Sequence, residues 1–157
     1  MRTTEGWRAG VVAGAMLGIA ITANAQTYGI GRAPTSAEIA AWNIDVSPDG
    51  RNLPPGRGTV ARGKQVYESQ CTACHGAKGE GAIGDRLAGG NGTLDTPKPV
   101  KTVGSYWPFA TTLFDYIRRA MPLNAPQSLS NDDVYAVAGY VLYLNGLLPE
   151  NATKLHG

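Results

Sequence analysis

Cys71-Thr72-Ala73-Cys74-His75 holds both cysteines of the chain in one five-residue run. On a helical turn, residues at i, i+3 and i+4 share a face. Two thiols and an imidazole at that spacing can bond a haem's two vinyl groups and point a ring nitrogen at its iron, and C-x-x-C-H is the covalent haem attachment signature. Other readings compete. A structural disulfide suits an even cysteine count in an exported protein, but leaves His75 unexplained. A redox C-x-x-C needs a βαβ setting, and no convincing strands surround this one. A zinc site needs four ligands, and the other histidine, His156, lies at the far end of the chain. Haem c, one and covalent, is the expected cofactor.

The iron of such a group has a second axial position, which separates an electron carrier from a catalyst. Met1 and Met16 fall in the leader described below, so Met121 is the methionine that remains. It follows a good helix and directly precedes Pro122. Met121 is read as the sixth ligand, against the plainer role of filling a gap in the core. A thioether favours the reduced iron, and two filled axial positions argue for outer-sphere electron transfer rather than catalysis.

Upstream, Arg2 and Arg8 precede an apolar run to residue 23, which ends in Ala23-Asn24-Ala25. A basic start, a short apolar stretch and an A-x-A site make a secretory signal peptide, with cleavage expected after Ala25. The run is short of the ~20 residues that span a bilayer, so no membrane anchor is expected after processing, and the periplasm is the expected location. With 14 basic and 12 acidic residues the chain is nearly neutral, which disfavours a strongly electrostatic nucleic-acid partner. Glycine and proline, 21 and 10 residues, point to long shaped loops.

The organisation expected is a leader over 1–25, an N-terminal extension over 26–59, a helical domain over 60–148 and a tail over 149–157. Thr35-Ser36-Ala37-Glu38 is a capping box that opens a short helix reaching about Trp42. Val60 to Gln70 reads as the first core helix, with Val66 and Tyr67 inward and Gly63 marking a close helix approach. Residues 79–84 match G-x-G-x-x-G, but the run follows no strand and opens no helix, so it reads as loop geometry and not a nucleotide site. Thr111 to Ala120 carries an apolar stripe at Leu113, Phe114 and Ile117, with Asp115 and Arg119 as an i, i+4 pair of a few tenths of a kcal/mol. Arg118-Arg119 reads either as a solvated face or as a docking patch. The last helix runs from about Asn131 to Asn145, started by Ser130 and stopped by Gly146. Trp107 is either core filling or an indole placed near a haem propionate.

Residues 60–146 resemble the small cytochrome c domain, through the Gly63, Tyr67, Cys71 spacing and the matching Val137 and Tyr140. That resemblance implies an all-α cytochrome c fold, three to four helices around one covalent haem, with a loop-rich N-terminal extension. A fuller likeness includes Ile30-Gly31-Arg32, Trp42-Asn43-Ile44-Asp45-Val46, Pro48-Asp49-Gly50, Leu53-Pro54, Gly56, Leu87-Ala88-Gly89-Gly90, the run from Pro99 to Pro108 and the run from Thr112 to Pro122. In these the chain is similar to the cytochrome subunit of Sox-type sulfane or sulfite dehydrogenases. The resemblance implies electron transfer without catalysis of its own. It also implies a molybdenum-cofactor dehydrogenase subunit as donor and a downstream cytochrome or terminal oxidase as acceptor. Cys71 and Cys74 would be the attachment points, and His75 and Met121 the axial ligands. Sulfane dehydrogenase cytochromes often carry two haem domains, so the single motif here favours a single-haem relative. The alternative is a free shuttle between other periplasmic oxidoreductases.

Overall fold

The computed structural model describes residues 30–152 and 155–156. The expected leader, 1–25, lies outside them. The chain divides after Pro34. Residues 30–34 hold no helix or strand, and everything below concerns the unit from Thr35 onward.

Among the described residues five helices form: α1 Ser36–Trp42, α2 Val60–Gln70, α3 Thr72–His75, α4 Ala110–Ala120 and α5 Asn131–Leu144. The Thr35 hydroxyl accepts from the Glu38 N–H, and Glu38 accepts from the Thr35 N–H at 2.8 Å, the reciprocal capping box. Thr59 and Ser130 cap α2 and α5 in the same way, each accepting an N–H three residues on.

The core is built on α5, buried without a break from Val134 to Leu142. A helix apolar on every side needs cover on every side. α2 crosses it where Gly63 faces the Ala136 carbonyl, so close that a Cβ would collide with that oxygen. Tyr67, fully buried, meets the Tyr140 ring at 5.3 Å. α4 covers another side with Leu113, Phe114 and Ile117, and the Phe114 and Tyr135 rings lie 4.3 Å apart. The fold is the all-α one expected.

The segment ahead of α2 is stitched to the helices. Along α4, three side chains at i, i+4 and i+7 take its main chain: Thr111 donates to the Pro48 carbonyl, Asp115 accepts from the Val46 N–H, and Arg118 donates to the Ile44 carbonyl. The segment therefore runs antiparallel to α4, with Val46 in the core. It then crosses the start of α5, where Tyr135 donates to the Pro54 carbonyl and Asp132 accepts from the Arg57 N–H.

Two features differ from expectation. Asp115–Arg119 is not a surface pair: Asp115 is only 8% exposed, because its carboxylate serves Val46 as well as Arg119. Arg118 donates to the Ile44 carbonyl, and Arg119, bound to Asp115, stays exposed. A minimal ladder also appears near the end of the tail. β1 (Arg57–Gly58) pairs antiparallel with β2 (Leu155–His156), Arg57 opposite His156. The tail's composition gave no sign of it.

Candidate haem site

α2 hands over directly to the haem motif. The Cys71 N–H still bonds the Tyr67 carbonyl, and the chain then winds into α3, with the His75 N–H donating to the Cys71 carbonyl at 2.9 Å. One helical turn thus presents Cys71, Cys74 and His75 on a common face. Both cysteines are free thiols, so the disulfide alternative is not realised. Burial, and then the neighbouring Cys74, push the Cys71 thiol up to about 11. It is protonated at neutral pH, unlike a metal-bound thiolate. Among the described residues no cluster of three or more His, Cys, Asp or Glu could hold a metal ion.

The glycine-rich run after the motif folds back onto it. The Gly81 and Gly84 N–H groups donate to the His75 and Cys74 carbonyls, both at 2.8 Å, satisfying the open end of α3. This is the G-x-G-x-x-G run, and two of its three glycine amides are spent on α3. Gly84 lies against the imidazole edge, where a Cβ would sit 3.1 Å from His75 Cε1. Next to it, His75 Nδ1 is 2.7 Å from the Asp85 carbonyl oxygen. A carbonyl only accepts, so Nδ1 carries the proton and Nε2 keeps a free lone pair.

Two further groups hold this loop: Tyr67, which the sequence marked only as an inward helix residue in the Gly63, Tyr67, Cys71 spacing, and Asn145, which it marked only as the end of the last helix. The Tyr67 hydroxyl donates to the Gly76 carbonyl at 2.9 Å. Burial first, then the charges of Cys71, Glu80 and Tyr140, push that hydroxyl up to about 12, so it stays a donor. Asn145, buried at the end of α5, donates from Nδ2 to the carbonyls of Leu87 and Val141 and accepts from the Gly89 N–H at 3.2 Å. On the far side of the loop, Thr102 donates to the Gly89 carbonyl, and Ser105 accepts from the Thr102 N–H.

Met121 caps α4 in an extended conformation, its N–H on the Ile117 carbonyl, and is joined to Pro122 by a cis peptide. Cys71, Leu87, Trp107 and Met121 are all half-buried at the margin of the same core. Trp107 meets Tyr116 edge to face at 5.7 Å, a packing contact. The backbone of His156 pairs with Arg57.

The residues present fit a covalent haem. Two free thiols and an imidazole with Nε2 bare share one turn, Gly84 leaves room beside the ring, and apolar side chains border the core. An all-helical domain with such a turn at the edge of its core is a c-type cytochrome, and its cofactor is a covalently bound haem c. The chain belongs to the family described as "Cytochrome C oxidase, cbb3-type, subunit III", whose pattern matches residues 58–141.

Among proteins of known function, the chain is similar to the thiosulfate dehydrogenase of Stutzerimonas stutzeri strain A1501. The two are 34% identical over 112 residues, covering 69% of this chain and 34% of that protein. It is also similar to the thiosulfate dehydrogenase of Allochromatium vinosum strain ATCC 17899, 30% identical over 117 residues, covering 74% of this chain and 39% of the other. The chain therefore spans little more than a third of these curated relatives. Among solved structures it resembles a chain of the sulfane dehydrogenase SoxCD from Paracoccus pantotrophus, with a TM-score of 0.75 and 45% identity, covering 83% of this chain and 64% of that one. This is a Sox-type cytochrome by resemblance, and its role is electron transfer related to the thiosulfate and sulfane dehydrogenases. Among the described residues no helix is long and apolar enough to cross a membrane.

Proposed function

We propose that this chain is a periplasmic monohaem cytochrome that accepts single electrons from a molybdenum-cofactor sulfite or sulfane dehydrogenase subunit. It would pass them to a downstream cytochrome or terminal oxidase. In this reading Cys71 and Cys74 form the two thioethers, and His75 and Met121 are the axial ligands. The observation that carries it is the His75 Nδ1–Asp85 carbonyl bond, which leaves Nε2 free to ligate.

Bound haem c supplies the Fe(III)/Fe(II) couple. The protein's residues set how that couple is used. Asp85 fixes the imidazole tautomer and raises the ring's basicity as a ligand. Met121 would offer a neutral, soft sulfur, which would favour the reduced state and keep oxygen or peroxide from the iron. Gly84 and the loop it belongs to cover the histidine edge. The resemblance to the SoxCD chain at 45% identity supports the choice of donor. The basic start and the Ala23-Asn24-Ala25 site support export and cleavage after Ala25.

The test uses protein matured in a haem-attaching host. The mass should exceed that of the processed polypeptide by one haem. Native ferric protein should resist cyanide, and Met121→Ala should bind it readily. Mixing with the molybdenum subunit and sulfite should reduce the haem, and no reduction without that subunit should be seen. Equal cyanide binding by both proteins would refute Met121 ligation. Failure of the donor to reduce the haem would favour a shuttle serving other oxidoreductases.

A further inference from the structure

Helix α1 is fully capped, yet it buries none of its residues. Seven residues are too few to hold a helix in water on propensity alone. Its large apolar side chains are outward: Ile39 is 51% exposed and Trp42 is 87% exposed. They are three residues apart, on one face of the helix. The base of this helix is nevertheless fixed. Immediately after it, the Ile44 carbonyl and the Val46 N–H are held by Arg118 and Asp115 of α4. Because the segment runs antiparallel to α4, α1 leaves the domain beside the C-terminal end of that helix, and Met121 is three residues beyond Arg118. A rigidly based helix showing tryptophan and isoleucine to solvent is a docking element, because exposed tryptophan is enriched where interfaces place their anchors.

We infer that α1, through Trp42 and Ile39, inserts into an apolar recess of the molybdenum-cofactor subunit and holds that subunit at the Met121 end of the cytochrome. The inference rests on the proposed donor. Two observations favour this occupant over a second copy of the chain. The likeness to the SoxCD chain covers 83% of this one, and the stretch from Val60 to the end is only 98 of 157 residues. The shared architecture therefore reaches into the segment ahead of Val60, in a chain of the sulfane dehydrogenase SoxCD. The position at the Met121 end also brings a donor close to the redox site, which self-association would not require. The two cations at that end of α4 are already engaged within the chain: Arg118 donates to the Ile44 carbonyl, and Arg119 pairs with Asp115. The contact is thus apolar, and its affinity should vary little with salt.

The experiment titrates the holo-cytochrome, as wild type, Trp42→Ala and Ile39→Ala, against the purified molybdenum subunit of the same organism, at low and high salt. Trp42→Ala should weaken binding roughly 30-fold, as loss of a tryptophan anchor does, with a smaller loss for Ile39→Ala. The visible spectrum and thermal midpoint should stay at wild-type values, since neither side chain is in the core. Wild-type binding that both variants retain overturns the docking role of α1 and leaves the donor assignment standing. No binding by the wild type overturns the donor assignment, and this inference with it. Trp42-dependent dimerisation of the cytochrome alone, seen by sedimentation, replaces the partner by a second copy and overturns the inference. A steep fall of affinity with salt would overturn the apolar contact.

Discussion

His75 Nδ1 donates to the Asp85 carbonyl across 2.7 Å, and the same loop places Gly84 flat against the imidazole edge. Orientation, tautomer and basicity of the histidine thus depend on a loop that has no regular structure of its own. The loop in turn is held by bonds to α3 and to the end of α5.

Gly84→Val should disturb that arrangement directly. Its added carbons would press on His75 Cε1 and on the Cys74 carbonyl, already 3.1 and 3.2 Å from an ideal Cβ. Overpacking of this kind costs about 1–3 kcal/mol. The ring would tilt and its bond to Asp85 would lengthen, making the imidazole a poorer donor to the proposed haem iron. Ferric iron would lose more than ferrous, so the reduction potential should rise. Voltammetry against the wild type checks the direction.

Asn145→Ala should loosen the same loop from the other side. It removes two donors and one acceptor at a buried position, orphaning the Gly89 N–H and leaving the Leu87 carbonyl only its bond from the Val103 N–H. A buried unsatisfied group costs about 1–3 kcal/mol, so a loss of about 2–4 kcal/mol is expected. Hydrogen exchange offers a local readout. The Gly89 amide should exchange much faster in the variant, and amides at the centre of α5 should slow or quicken only with global stability.

The helices were legible because capping residues and apolar spacing are local: Thr35, Ser130 and the Leu113-Phe114-Ile117 stripe mark α1, α5 and α4 within a few residues. The haem turn was legible for the same reason. Asn145 and Asp85 were not. Their importance lies in backbone groups 56 to 58 residues away in the one case and in a main-chain carbonyl, which any residue could supply, in the other. Asp115 was misjudged from its i, i+4 spacing, since spacing locates Arg119 but says nothing of Val46, 69 residues earlier.

Gly63→Ala opposes two effects of known size. Alanine gains about 1 kcal/mol over glycine inside a helix. Its methyl, however, would strike the Ala136 carbonyl and come 2.8 Å from Tyr140 Cβ. The obstacle is backbone, which cannot rotate away, so α2 and α5 must separate and the Tyr67–Tyr140 contact must open. The collision should win, with a net loss of about 2 kcal/mol in urea unfolding. A variant as stable as the wild type would show that the two helices tolerate a wider spacing than the core implies.

Asp115 makes the stability of the chain depend on pH in a direction that can be worked out. Burial pushes its carboxyl up, but hydrogen bonds from Arg119 and the Val46 N–H, with the charges of Arg119 and Arg118, outweigh burial and hold it below the ordinary carboxylate range. The unfolded chain, with an ordinary value of about 3.9, therefore takes up the proton first as pH falls. The stabilisation is complete above that value and drains away as acid carries the solution through the lower, folded one. Asp115→Asn removes the charge and should cost about 2–3 kcal/mol near pH 7, the loss of charge-assisted bonds at a buried site. The cost should shrink steadily below about pH 4, where the wild-type carboxylate is itself being neutralised. Urea midpoints of both proteins at pH 7 and pH 3 measure the gap. If the gap stays constant or widens in acid, Asp115 is not the ionised clamp between α4 and the Val46 segment, and the anchoring of that segment must come from Arg118 and Thr111 instead.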